Sequence, residues 1–256
     1  MQRDAHIGYW SNSFYIRLDM TDLESLRQLV KRAVYFGRSR YCTVCKSRVQ
    51  RFKPYGVNPR NDARCPVCDA LERHRFAWMY LELHTDLLNG APKRVLHCAP
   101  ERGIRHRLER IASLDYVSID LEGHHAAVRA DLTALPFDDD SFDVVLCSHV
   151  LEHVSDDRAA LREIHRVMRR SGWGVLMVPI ADGVTDEDIA ADPETRLQRF
   201  GQQDHLRKYG RDFAERVSNC GFDVREVRCP DIVPEETARQ CGLADDEIFL
   251  VRKSGA

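Results

Sequence analysis

Arg94-Val-Leu-His-Cys-Ala-Pro-Glu-Arg-Gly103 and Phe142-Asp-Val-Val-Leu-Cys-Ser-His-Val-Leu-Glu-His153 decide the fold. Each starts as an apolar run of strand length and breaks into a turn. Around them lie Tyr116–Asp120 and Val128–Asp131, both ending in an acid, and then Gly174–Pro179. Helical patterns separate several of these runs. Strands this apolar, alternating with helices, predict a mostly parallel sheet covered on both faces, the α/β class. Such sheets take ligands beyond the carboxyl ends of their strands, where the strand order reverses. Asp120 and Asp131 stand at two of those ends, which predicts a nucleoside-binding core.

Further along, Gly210–Gly221 reads as a helix with a glycine stop. Phe222–Arg228 and Glu247–Lys253 read as strands six and seven, an antiparallel hairpin with a short connection. The periodicity lapses between Ala181 and Asp204, where acids, Pro193 and Gly201 predict an insertion or lid.

Upstream, Cys42-Thr-Val-Cys45 and Cys65-Pro-Val-Cys68 are separated by 19 residues. Two Cys-x2-Cys pairs at this interval match the spacing of a zinc site. Four thiolates close a tetrahedron and leave no position for water, so the expected ion is structural Zn2+ held by Cys42, Cys45, Cys65 and Cys68. The intervening segment is too small to form a core alone, so the ion supplies folding free energy. Thr21-Asp-Leu-Glu24 reads as a capping box ahead of a helix carrying Leu26, Val30 and Val34. Asp69–Leu88 reads as a second helix, closed by Asn89-Gly-Ala-Pro92. Before them, Met1–Met20 is too aromatic for a loose tail and is expected to pack as a strand or arm. The expected division is residues 1–90, with arm, helix and four-cysteine zinc module, and residues 91–256, the α/β domain.

The 256 residues carry a net charge of −2. That near-neutral value hides a basic stretch between Arg27 and Arg75, opposed only by Asp62, Asp69 and Glu72. Either an anionic partner or the acidic half of the same chain fits it. No apolar run approaches the ~20 residues that span a bilayer. The first residues lack a signal-peptide core, so a cytoplasmic protein without a membrane span is expected.

With these motifs together, the stretch from Lys93 onward resembles class I S-adenosylmethionine-dependent methyltransferases of the type-11 group. The residues that carry the likeness are Arg94–Gly103, Ser118-Ile-Asp-Leu121, Ala130-Asp-Leu-Thr-Ala-Leu-Pro-Phe137, Ser141–His153 and Leu161–Met168. Phe200-Gly-Gln-Gln-Asp-His-Leu-Arg-Lys-Tyr-Gly210 and Asn219-Cys-Gly-Phe222 fit a bacterial subfamily. The resemblance implies a seven-stranded Rossmann-like sheet binding S-adenosyl-L-methionine. Asp120 and Leu121 would meet the ribose, Asp131 and Leu132 the adenine, and Ser148 would close the fourth strand beside the cofactor. The glycine-rich first turn of the family is replaced here. Only Gly103 stands where its last glycine belongs, Ala99 is small enough for close approach, and Glu101 either pairs the methionine ammonium or faces solvent.

Transfer to an oxygen benefits from a general base, and imidazole suits neutral pH. His149 and His205 are the candidates, each also readable as a positioning or packing residue. His153 reads as packing and His97 as a structural hydrogen-bonder. His149-Val-Leu-Glu-His153 also spells the H-x-x-E-H zinc-protease string, but that motif needs a helix and here follows a buried strand. The subfamily likeness implies O-methylation of a small-molecule or glycan acceptor in a bacterial biosynthetic pathway. Two alternatives stand beside it. One is an RNA methyltransferase gripping phosphates with the basic module. The other is a non-catalytic binding protein on an altered core.

Overall fold

The computed structural model describes residues 20–56, 59–123 and 126–255, with side chains from Leu26 onward. The N-terminal arm and the side chains of the capping box fall outside that range. The first described element, α1 (Met20–Val34), leads into two hairpins. β1 (Phe36–Tyr41) pairs antiparallel with β2 (Arg48–Val49), and β3 (Lys53–Tyr55) with β4 (Arg60–Arg64). α1 leaves its apolar stripe uncovered among the described residues, for Leu26, Val30 and Val34 are all more than half exposed. α2 (Glu72–His84) follows, shorter than the predicted Asp69–Leu88. Its start is delayed because Asp69 belongs to the turn after Cys68, with φ +63° and its amide on the Cys65 carbonyl. Its end comes early because the Thr85 hydroxyl donates to the Leu81 carbonyl and takes the Leu87 amide.

The core follows as β5 (Lys93–Cys98), α3 (Arg102–Leu108), β6 (Leu114–Asp120), β7 (Val128–Arg129), β8 (Phe142–Ser148), a 3-10 turn (Leu151–His153), α4 (Asp157–Val167) and β9 (Met168–Met177). Beyond it come β10 (Asp186–Glu187), α5 (Pro193–Phe200), β11 (Arg207–Lys208), α6 (Phe213–Ser218), β12 (Phe222–Arg228), α7 (Cys229–Ile232), α8 (Glu235–Cys241) and β13 (Glu247–Lys253). The seven-stranded sheet has the order β12-β13-β9-β8-β5-β6-β7. β13 runs antiparallel to both neighbours and every other pairing is parallel. This is the Rossmann-like sheet expected of the sequence. The order reverses between β5 and β8, and a crevice opens there at the carboxyl ends.

The expected short hairpin connection between strands six and seven is instead the two-helix excursion α7–α8. The strands still pair antiparallel along their full length, from Phe222 opposite Lys253 to Arg228 opposite Glu247. The excursion reaches the cysteine module: the buried Arg75 of α2 donates to the carbonyls of Cys241 and Gly242, and to those of Ala63 and Ala70. Module and sheet also share one apolar core, in which Val44, Val67 and Trp78 pack with Val95, Val144 and Trp173.

The predicted lid between Ala181 and Asp204 holds β10 and α5, and β10 pairs with β11. Its anchor is polar and buried. Asp157, at the start of α4, accepts from Tyr209 Oη and from Arg216 Nε and Nη2, each at 2.7 Å. Arg207, 1% exposed, donates to the carbonyls of Leu151, Val154 and Ser155. Burial would raise the Asp157 carboxyl, but the Arg216 hydrogen bonds override it and hold it below the usual range. Asp157→Asn leaves two guanidinium groups under-compensated, and we expect a loss of about 3–5 kcal/mol. A depressed folded pKa contributes stability above the unfolded value of about 3.9 that is lost as pH falls through the folded value. Urea unfolding at neutral pH should therefore separate wild type from variant, and the gap should narrow in acid.

Candidate functional site: two cavities meeting at His149

The first turn is built without its glycines by placing Ala99 in the left-handed region, at φ +45°. A methyl is the smallest side chain that can be held there, and the Ala99 amide is secured on the Ile119 carbonyl at 2.8 Å. The turn borders a cavity of about 560 Å3 at the ends of β5, β6 and β8, lined by Ala99, Asp120, Leu121, Asp131, Leu132 and His149 among others. Asp120 Oδ1 accepts from the amides of Glu122 (2.8 Å) and Gly123 (2.9 Å), which fixes the carboxylate at the strand end. Asp131 Oδ1 is fixed likewise by the Thr133 amide and hydroxyl, both at 2.8 Å. Each carboxylate retains further lone pairs for ligand hydroxyls or an amino group. Leu132 supplies a buried apolar wall.

Three of the residues expected at the cofactor are not among those lining this cavity. Gly103 does not approach this cavity. A Cβ there would stand 3.2 Å from Val44 Cγ1 and 3.5 Å from the Cys68 carbonyl, so its role is to seat α3 against the cysteine module. Glu101 does not line this cavity and is partly buried. His97 Nε2 donates to it at 2.8 Å, while Tyr116 Oη lies 2.9 Å from His97 Nδ1. Burial pushes the Glu101 carboxyl up, and the His97 bond wins and holds it well below the usual range. Ser148 joins Glu101 and His149 at a neighbouring cavity of about 340 Å3, its hydroxyl buried without a partner among the described residues.

A second, polar cavity of about 810 Å3 lies on the other side of His149. It is walled by Tyr55, Arg60 and Arg73 of the cysteine module, by the β9 end at Met177–Ile180, by Gln202 and Asp204 of the lid and His205 after it, and by Asp245–Glu247. Burial pushes the Asp246 carboxyl above its ordinary range. His149 is itself in the left-handed region (φ +54°), held by its amide on the Met177 carbonyl. Strain at a non-glycine residue beside a cavity points to function. His149 Nδ1 donates to Glu152 Oε1 at 3.1 Å, which leaves the Nε2 lone pair as the basic one. Glu152 is 1% exposed, and the bond from His149 keeps its carboxyl below the usual range despite burial. His205, the other candidate base, is 5% exposed and lines only the polar cavity. Its Nδ1 donates to the Phe200 carbonyl at 3.2 Å, and burial pushes its pKa down. Glu152, Arg73 and Asp246 were not anticipated from sequence as site residues; only Glu152 had a signal, in the H-x-x-E-H string.

The four module cysteines form one buried cluster. Sγ of Cys42 and Cys68 are 3.6 Å apart, and Sγ of Cys45 and Cys65 are 3.8 Å apart. Thiolates about 2.3 Å from a tetrahedral zinc lie about 3.8 Å from one another, so the set fits the ion. The two turns are alike: Lys46 (φ +58°) and Asp69 (φ +63°) each return an amide to the first cysteine of their pair. Arg32 donates to the Cys45 carbonyl at 3.1 Å. Part of the basic stretch is paired with acids of the module, in Arg40–Asp62, Lys46–Glu82 and Arg60–Glu72.

Residues 95–176 match the family described as "Methyltransferase domain". An uncharacterized methyltransferase of Bacillus subtilis is 38% identical over 77 residues, 29% of this chain and 28% of that protein. The ubiquinone/menaquinone biosynthesis C-methyltransferase of Xanthomonas campestris is 42% identical over 118 residues, 46% of this chain and 40% of that protein. The chain thus spans less than half the length of these curated relatives. A 1,6-didemethyltoxoflavin-N1-methyltransferase of Burkholderia thailandensis, solved with S-adenosylhomocysteine, is 20% identical, covers 66% of this chain and 74% of its own, and has a TM-score of 0.45. The match to that family runs from the first strand of the sheet into the fifth, and the rest of the chain lies outside it.

Proposed function

We propose that the chain is an S-adenosyl-L-methionine-dependent methyltransferase that methylates a hydroxyl of a small-molecule or glycan acceptor. The observation that carries the reading is His149, which stands in the walls of both cavities with its Nδ1 proton fixed on Glu152. The cavity at Asp120 and Asp131 suits an adenosine group: one carboxylate for the ribose hydroxyls, one for the adenine amino group, and Leu132 against the base. S-adenosyl-L-methionine, when bound, supplies an electrophilic methyl. The chain's own part is to align the acceptor and remove its proton. Nε2 of His149 takes the hydroxyl proton as the oxygen attacks, and Glu152 stabilises the imidazolium that forms.

The acceptor belongs in the polar cavity. Buried carboxylate oxygens of Asp246 and Glu247 in its lining have no hydrogen-bond partner among the described residues, and such oxygens call for the donors of a hydroxyl-rich molecule. Zn2+ on the four cysteines is structural in this reading, and holds the wall that carries Tyr55 and Arg60.

Asp120→Ala removes a charged acceptor of ribose hydrogen bonds, each worth about 1.5–3 kcal/mol, so calorimetric affinity for S-adenosyl-L-methionine should fall by about 10–100-fold. A zinc-loaded, folded wild-type protein that shows no binding overturns the reading. Binding without transfer to any polyhydroxylated acceptor favours the non-catalytic alternative.

A further inference from the structure

We propose that Glu152, His153 and His205 hold a divalent first-row transition-metal ion in the wall of the polar cavity, separate from the four-cysteine centre. One ligand atom from each of the three lies within 4.8 Å of the others. Donors about 2.0–2.2 Å from a shared ion stand roughly 3–4 Å apart, so small side-chain adjustments close the set.

The hydrogen bonds around the cluster already have the form of a metal site's outer shell. His205 Nδ1 donates to the Phe200 carbonyl at 3.2 Å. His153 Nδ1 donates to the Asp204 carbonyl at 3.3 Å and meets Asp204 Oδ2 at 3.2 Å. Those partners only accept, so the proton of each neutral ring is on Nδ1 and the Nε2 lone pair is available. Histidine ligands are commonly oriented in this way, by a carbonyl or carboxylate on the other ring nitrogen. Glu152 Oε1 accepts from His149 at 3.1 Å, whereas Oε2 is buried and without a hydrogen-bond partner in a residue only 1% exposed. An orphaned carboxylate oxygen at that depth is costly unless a cation or donor completes it.

Two imidazoles and one carboxylate suit Zn2+, Fe2+, Co2+ or Mn2+ better than the all-oxygen ions. Two ligands come from the 3-10 turn after β8 and one, His205, from the residue that follows the lid. The Leu206 amide already bonds the Glu152 carbonyl at 2.8 Å, so the ion would fasten lid to sheet beside His149. A use for it in gripping the acceptor oxygen rests on the methyltransferase reading; the binding of the ion does not.

The test starts from full-length protein carrying one zinc per chain on its cysteines and titrates it with Co2+. One further equivalent is expected, with weak visible d–d absorption and without thiolate-to-cobalt charge transfer. Glu152→Gln and His205→Ala should abolish that equivalent while keeping one zinc per chain. Asp204→Asn, which removes an outer partner, should weaken it about 10–100-fold. His153→Ala, at the most exposed ligand, gives the same readout if a buried substitution destabilises the chain. No second equivalent, or one indifferent to these substitutions, overturns the proposal. The titration uses neither S-adenosyl-L-methionine nor acceptor, so its outcome is independent of the methyltransferase reading.

Discussion

Cys65→Ser is expected to unfold the cysteine module together with the sheet face behind it, in one transition. The substitution breaks a buried four-thiolate cluster in which Cys42 and Cys65 are fully buried. Structural zinc is worth about 10–16 kcal/mol in small zinc domains, against a total stability of about 5–15 kcal/mol for a typical domain. A loss of that size cannot be contained locally here. Val44 and Val67, on the two cysteine turns, pack in one cluster with Val95 of β5 and Val144 of β8. Arg75 bonds carbonyls of the module and of the α7–α8 excursion at once, and its guanidinium lies 4.0 Å from the centre of the Phe52 ring. Releasing the module leaves that charge buried and only half satisfied. Hydrogen exchange reads the result by residue. Protection of β5 and β8 amides should collapse together with that of the module, in the variant and in chelator-treated wild type. If those strands keep native protection while the module exchanges freely, the two parts are energetically independent, and the boundary near residue 90 is a true domain boundary.

The parts of the molecule that were legible in the sequence are those whose reasons are local. β8 could be read because Val144, Val145 and Leu146 are buried on both faces of a parallel sheet, which demands an unbroken apolar run. The cysteine pairs could be read because each turn geometry is set within a few residues. Asp120 and Asp131 could be placed because a strand end fixes where the next residue goes, and the structure brings both into one cavity with Ala99, Leu121, Leu132 and His149. What escaped depends on partners distant in sequence. Gly103 and Glu101 sit in the turn where the family binds its cofactor, yet one is fitted to Cys68 and the other is bonded to His97. Nothing within the turn announces either contact. Arg75 counted only as one charge of the basic stretch and Arg207 only as one residue of the Phe200–Gly210 motif, and both are buried because each finds several carbonyls. The α7–α8 excursion lacks long apolar periodicity, so it reads as a loop. Glu152 was visible only as one letter in a zinc-protease string. Its reach from the 3-10 turn back to His149 is a tertiary fact, and it gives the histidine its orientation.

That orientation leads to the second large effect: His149→Ala should lower kcat by about 10²–10⁴-fold, the usual contribution of a positioned general base. Affinity for S-adenosyl-L-methionine should stay close to wild type, because Asp120 and Asp131 hold their geometry through Glu122, Gly123 and Thr133 and not through His149. Replacing a left-handed histidine by alanine retains the backbone conformation at modest cost, as Ala99 shows on the neighbouring strand end. Glu152→Gln separates orientation from proton transfer. The amide side chain can still occupy the space and accept from Nδ1, but it no longer stabilises an imidazolium. Its kcat should therefore fall by less than that of His149→Ala, and the fall should grow with the basicity demanded by the acceptor. A histidine that only packs against the acceptor predicts the reverse pattern: a raised KM for the acceptor and kcat within about threefold of wild type. His205→Ala is the control. Its imidazole lines the polar cavity alone, so a general-base signature appearing there and not at His149 would move the chemistry to the end of the lid and dissolve the argument that the two cavities meet at the end of β8.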